Sequence, residues 1–75
     1  MRAFTPYNLE EMQLRVLKKK LETYGSVNCS LSKLNELHTL WFRRNFPMEK
    51  INLKQTYSNE MRVIEFAVFL VKQNI

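Results

Sequence analysis

The sequence contains no aspartate, and glycine, cysteine and histidine each occur only once among its 75 residues. A single glycine cannot supply the glycine-rich loop that binds the phosphates of a mononucleotide or dinucleotide. A structural zinc site needs four Cys or His ligands, and magnesium-dependent phosphoryl chemistry places carboxylates around the ion. We therefore predict that the chain has no metal site, no cofactor and no small-molecule substrate, and that it is not an enzyme.

Two pairs of residues remain as candidates for chemistry. Glu10 and Glu11 are adjacent acids, but they fall at the start of a predicted helix, where the helix dipole stabilises carboxylates. Cys29 and His38 could form a nucleophilic pair, yet no third group in the sequence stands out that would orient the histidine. The simpler interpretation of the second pair is a small half-buried thiol and a histidine at the flank of a helix.

The single cysteine cannot form an intramolecular disulfide, which favours a reducing compartment. The first residues lead into a charged helix rather than into the apolar core of a signal sequence. The longest apolar stretch, residues 63–71, includes Glu65 and is far shorter than the roughly 20 residues that span a bilayer. We predict a cytoplasmic protein with no membrane partner. The many Asn and Lys residues favour a phage, plasmid or bacterial origin.

Hydrophobic residues recur at helical spacing in three parts of the chain. These parts cover residues 7–24, 31–45 and 57–73. Gly25 is suited to end the first helix, and Pro47 disfavours continuation of the second. The prediction is an all-α fold, a small bundle of three main helices that forms a single domain over residues 1–75.

The segment 47–56 is ambiguous. Its first residues could begin a short helix, whereas Ile51 to Lys54 alternates like a strand. A lone strand is unstable without a second alternating segment to pair with. We therefore predict a short helix or a turn here, and we expect Thr56 or Ser58 to cap the last helix.

The second and third main helices are apolar over more than half of their circumference. A helix on the surface of a small bundle needs only one apolar stripe, so one side of residues 63–71 is expected to contact water in a monomer. Each large side chain left exposed forfeits roughly 1.5–3 kcal/mol. Either residues 47–56 cover this side or a partner does, and the commonest partner is a second copy of the chain.

These features predict a small non-enzymatic regulatory protein that acts through protein–protein contact as a homodimer. A larger target protein is the second candidate partner. Aromatic and arginine side chains are frequent energetic anchors of interfaces. The predicted contact residues are Trp41, Phe42, Val63, Phe66 and Phe69.

Nucleic acid is the alternative partner, because a net charge of +5 attracts polyanions. The basic side chains concentrate in two segments. They are Arg15, Lys18, Lys19 and Lys20 in the first helix and Arg43 and Arg44 at the end of the second. Each group also has an interpretation without nucleic acid. The first is then a solvated helix face, and the second is a pair of basic residues next to core aromatics. The alternative function is a DNA-binding transcriptional or replication regulator.

Overall fold

The computed structural model describes residues 9–25 and 27–73, and four helices make up most of this part of the chain. The helices are α1 (Leu9–Leu21), α2 (Leu31–Asn45), α3 (Leu53–Tyr57) and α4 (Glu60–Lys72). Residues 9–25 and 27–73 contain no strand. The prediction of an all-helical bundle with three main helices is confirmed.

The bounds of α2 match the prediction, whereas α1 is shorter than predicted. After Leu21 the chain forms a turn, in which the Tyr24 amide donates to the Leu21 carbonyl at 2.9 Å. The Thr23 hydroxyl donates to the Lys20 carbonyl at 2.6 Å and holds the same turn. The predicted helix also included residues 7 and 8, which lie outside the described residues. The N-terminal end of α2 is capped by Ser30, whose hydroxyl accepts from the Lys33 amide at 3.1 Å.

The ambiguous segment contains α3, so the prediction of a short helix or turn is confirmed there. Its first turn is capped by Asn52, whose side-chain oxygen accepts from the Gln55 amide at 3.3 Å. Thr56 belongs to α3 and is fully buried, which removes it as a cap for the next helix.

The start of α4 differs from the prediction by three residues. The cap is Asn59 rather than Thr56 or Ser58, because the Asn59 side-chain oxygen accepts from the amides of Met61 and Arg62 at 3.0 and 3.4 Å. Ser58 instead ends α3, and its amide donates to the Lys54 carbonyl at 2.9 Å.

All four helices contribute to one core. Helix α1 packs against each of the other three, and α4 also contacts α2 and α3. The centre of the core is aromatic, with the ring centroids of Trp41 and Phe66 5.1 Å apart and Phe42 fully buried beside them. Because these rings come from α2 and α4, their packing determines which face of α4 is turned inward.

A half-buried arginine joins α4 to the segment that follows α2. The Arg62 guanidinium lies 3.7 Å from the ring centroid of Phe46, a cation–π distance. Its two terminal nitrogens also donate to the Glu49 carboxylate at 3.2 and 3.4 Å. This contact fixes the chain between α2 and α3 against the start of α4.

Within the described residues, the four helices are too short or too polar to cross a membrane.

Candidate protein interface

Most of the contact residues predicted from the sequence lie in the core of the same chain. Trp41, Phe42, Val63 and Phe66 are each at most 3% exposed. Phe69 is half-buried, and its ring stacks on Phe66 with centroids 6.1 Å apart. The first four are therefore enclosed by the chain's own helices and expose almost no surface to a partner.

Helix α4 nevertheless exposes a second apolar face, on the side away from the core. Its side chains are Met61 at 64% exposure, Ile64 at 38%, Val68 at 49% and Val71 at 71%. Spacings of three, four and three residues keep them on one side of a helix. We call these four residues the α4 stripe. It has the spacing of the seam by which two helices pair in a coiled coil.

Charged residues lie along the edges of the α4 stripe. A rotation of about 100° per residue puts Glu65 and Lys72 on one edge, and Glu60 and Ala67 on the other. All three charged side chains are exposed. The arrangement is an apolar centre with a charged rim, which is the usual anatomy of a protein interface.

A small hollow adjoins the C-terminal end of the α4 stripe. It has a volume of about 40 Å³ and lies between the end of α1 and α4. Tyr24 and Val27 line it from one side, and Ala67 and Val71 line it from α4. An apolar side chain from outside the chain could occupy this space next to Val71.

Helix α1 carries another exposed apolar group. Leu9, Met12 and Val16 are 64%, 55% and 40% exposed and share one side of the helix. A shallow groove joins them to Lys54 and Tyr57 of α3. This group has three large exposed apolar residues, whereas the α4 stripe has four.

The basic group on α1 is partly engaged within the chain. Arg15 forms an ion pair with Glu11 at 2.8 Å. The Lys18 ammonium donates to the backbone carbonyl of Cys29 at 3.3 Å. Lys19 and Lys20 are exposed. Two of the four predicted phosphate-binding side chains on this helix therefore already have partners.

The structure does not bring the two basic groups together. Lys18 lies beside the start of α2, through its bond to Cys29. Arg43 and Arg44 are exposed in the last turn of the same helix. At 1.5 Å per residue, the two ends of α2 are about 20 Å apart. A single phosphate cluster cannot contact both groups.

His38 is a buried core residue. Its side chain is fully enclosed among the rings of Trp41, Phe42 and Phe66. Its Nε2 lies 2.8 Å from the Thr56 hydroxyl oxygen, and burial lowers the pKa of the imidazole to about 4. The ring is consequently neutral at pH 7.

The tautomer of His38 follows from its neighbours. The Thr56 hydroxyl donates to the Asn52 carbonyl at 3.5 Å, so we infer that Nε2–H donates to the hydroxyl oxygen. Among the described residues Nδ1 has no hydrogen-bond partner, and in this tautomer it is an acceptor rather than an unpaired N–H donor. The histidine thus links α2 to α3 through a buried hydrogen bond.

Neither Cys29 nor His38 resembles a member of a nucleophilic pair. Burial raises the pKa of the Cys29 thiol, and the nearby Lys18 and Lys33 ammonium groups oppose this only in part. A nucleophilic cysteine needs a lowered pKa and an adjacent base. No group of three His, Cys or Glu side chains that could hold a metal ion occurs in the part of the chain that the structure describes.

Comparison with known proteins adds no further candidate. No protein-family model, no curated protein and no solved structure matches this chain.

Proposed function

We propose that this chain is a small non-enzymatic regulatory protein that acts through protein–protein contact as a homodimer, with the α4 stripe as its contact surface. The observation that carries this proposal is the set of four large apolar side chains on one exposed face of a helix whose opposite face already lies in the core. While these side chains are exposed to water they contribute little hydrophobic stabilisation, and a macromolecule that covers them would supply it.

Two features support a binding role over a catalytic one. His38 is enclosed by the aromatic core, where a substrate cannot reach its ring nitrogens. Cys29 has a raised pKa, so its thiol is protonated at neutral pH and is a poor nucleophile. A small protein can act on a target without chemistry, by occupying or reshaping a surface of that target.

Sedimentation velocity of the pure chain, from about 1 μM to about 1 mM, tests self-association. We expect the wild type to form dimers within this range. Val68→Lys should shift the chain to monomers, because it places an ammonium group in the centre of the α4 stripe. The matched control is Met48→Lys, which changes a side chain that is 95% exposed and lies between α2 and α3. It should dimerise like the wild type.

Two results would contradict the proposal. One is a wild type that sediments as a monomer at every concentration. The other is a loss of self-association in Met48→Lys as large as that in Val68→Lys, because the stripe would then have no special part in the contact.

A nucleic-acid-binding regulator is the second candidate function. It is supported by the exposure of Lys19, Lys20, Arg43 and Arg44, none of which forms an ion pair within the described part of the chain. Phosphate contacts release counterions, so affinity for a duplex should fall steeply between about 50 and 200 mM salt. A dissociation constant weaker than about 100 μM at both salt concentrations would exclude this candidate.

A further inference from the structure

We propose that a groove between α1 and α2 binds an extended peptide segment of a partner protein, with a cationic side chain of the peptide at Glu10 and an acidic one at Arg43. We call it the polar groove. It has a volume of about 580 Å³, and the side chains that determine its chemistry are Glu10, Gln13, Asn35, Thr39, Arg43 and Ile51. Helix α4 contributes no residue to this lining, so the site is separate from the α4 stripe and does not depend on dimerisation.

Three polar side chains of the groove are half-buried and free to bind a ligand. They are Gln13, Asn35 and Thr39, and none of the three forms a side-chain hydrogen bond within residues 9–25 and 27–73. Other polar side chains of the fold are already engaged, since Asn45 donates to the Trp41 carbonyl and Asn52 caps α3. The groove therefore holds hydrogen-bonding groups that the fold itself does not use.

These groups match the backbone of a peptide. The side-chain amides of Gln13 and Asn35 each offer a donor and an acceptor, as every peptide unit does, and the Thr39 hydroxyl also offers both. A ligand with N–H and C=O groups along its length satisfies all three side chains. Recognition of the peptide main chain gives affinity, and the side chains of the peptide then give specificity.

The spacing along α2 is close to the repeat of an extended chain. Asn35, Thr39 and Arg43 follow one another at intervals of four residues on this helix. Each interval is about 6 Å along the helix axis, and the three residues stay within about 80° of one side. In an extended peptide, groups on one side recur every second residue, or about every 6.7 Å. The distance from Asn35 to Arg43, about 12 Å along the axis, thus corresponds to about four peptide residues.

The two ends of the polar groove carry opposite charges. Glu10 also lines an adjoining hollow together with Ser32 and Asn35, which places it at the Asn35 end. Arg43 belongs to the last turn of α2, at the other end. Glu10 and Arg43 are exposed, and neither forms an ion pair within the described part of the chain. A peptide with a cation and a carboxylate four residues apart complements both ends, and such complementarity selects between ligands.

The lining disfavours two other classes of ligand. A nucleic acid presents a phosphate at every nucleotide, and the Glu10 carboxylate repels phosphates while Arg43 alone attracts them. A small-molecule pocket buries roughly 70–90% of its ligand, whereas this groove lies at the surface between exposed side chains. Ile51, which is 37% exposed, offers an apolar contact to one side chain of a peptide. An extended peptide is therefore the occupant that this chemistry favours.

An array of immobilised hexapeptides tests the proposal. Every peptide carries charged residues at its first and fifth positions, and the other positions vary. One set pairs Lys with Glu in either order, the second set has two Lys and the third has two Glu. The array is probed at about 150 mM salt, which screens the net positive charge of the protein. We expect the Lys–Glu set to bind best, and its strongest peptide to bind in solution with a dissociation constant of about 10–100 μM, measured by fluorescence anisotropy.

Two substitutions in α2 locate the binding. Arg43→Glu makes both ends of the groove acidic, so it should change the preferred set from Lys–Glu to Lys–Lys. The matched control is Arg44→Glu, which makes the same change of charge at the next exposed residue, outside the lining, and should keep the Lys–Glu preference. Asn35→Leu removes an amide that pairs with the peptide backbone and should weaken binding of the strongest Lys–Glu peptide about tenfold. Circular dichroism checks that each variant is folded.

Several outcomes would overturn the peptide site. They are the absence of any peptide that binds more tightly than about 1 mM, equal binding of the three sets, and the same change of preference in Arg44→Glu as in Arg43→Glu. A random single-stranded DNA that displaces the strongest peptide and binds more tightly than it does would assign the groove to nucleic acid instead. A Lys–Glu preference that changes in Arg43→Glu alone, together with weaker binding by Asn35→Leu, would establish the site. None of these results bears on self-association through the α4 stripe, which sedimentation tests separately.

Discussion

Acid should destabilise this fold through His38. The ring is fully buried against Trp41, Phe42 and Phe66, and burial lowers its pKa from 6.5 to about 4. In the unfolded chain the ring is solvated and its pKa returns to about 6.5. Each pKa unit between the two states corresponds to about 1.4 kcal/mol, so the difference is worth about 3 kcal/mol of unfolding free energy.

The sign follows from which state binds the proton. Between about pH 6.5 and pH 4 the unfolded chain takes up a proton that the folded core excludes, so a falling pH favours unfolding. The contribution of His38 is fully present above about pH 6.5 and declines as the pH falls. Below about pH 4 both states are protonated, and the contribution no longer changes.

Urea unfolding followed by circular dichroism, at intervals from about pH 7 to about pH 4, measures this effect. The matched variant is His38→Leu, which has a similar volume and does not titrate. Because the two proteins differ only at this position, the difference between the two curves isolates the histidine. We expect that difference to move by about 3 kcal/mol in favour of the variant as the pH falls. Curves that stay parallel across the whole range would refute this account of the core.

Three further substitutions, one of them with a matched control, test how the fold is held together. Asn59→Ala removes the α4 cap and should cost about 1 kcal/mol of unfolding free energy, whereas Asn28→Ala in the loop before α2 should cost almost none. Arg62→Lys keeps the charge but loses the planar contact with the Phe46 ring, so it should cost about 1 kcal/mol; thermal unfolding that matches the wild type would contradict this. Phe42→Ala should cost about 3–5 kcal/mol, and a smaller loss in urea unfolding would mean that the core closes around the missing ring.

Local spacing predicts the main helices well because each has its own signal. Apolar residues recur with the helical period in all three, and Pro47 limits the second at its C-terminal end. The start of α4 is harder to predict, since Thr56, Ser58 and Asn59 are all competent caps. Thr56 is excluded by its contact with His38, which is 18 residues away and not part of any local pattern.

The candidate interface shows the same division between local and long-range information. The sequence correctly indicates that α4 has more apolar surface than a small bundle needs. It does not indicate which face is buried, because Val63, Phe66 and Leu70 have helical spacing just as the α4 stripe does. The choice is made by the packing of Phe66 on Trp41, a contact between two helices. The face that carries the Phe66 ring is the one that fills the core.

The position of Trp41 gives the protein an intrinsic fluorescence probe of its core. It is the single tryptophan of the chain and is 3% exposed, and its ring centroid lies 5.8 Å from that of His38. An indole in an apolar core emits at short wavelength, and an imidazolium quenches it more strongly than a neutral imidazole does. A loss of fluorescence intensity without a shift of the emission maximum would therefore indicate proton uptake inside an intact core. A shift of the emission maximum to longer wavelength would indicate the entry of water.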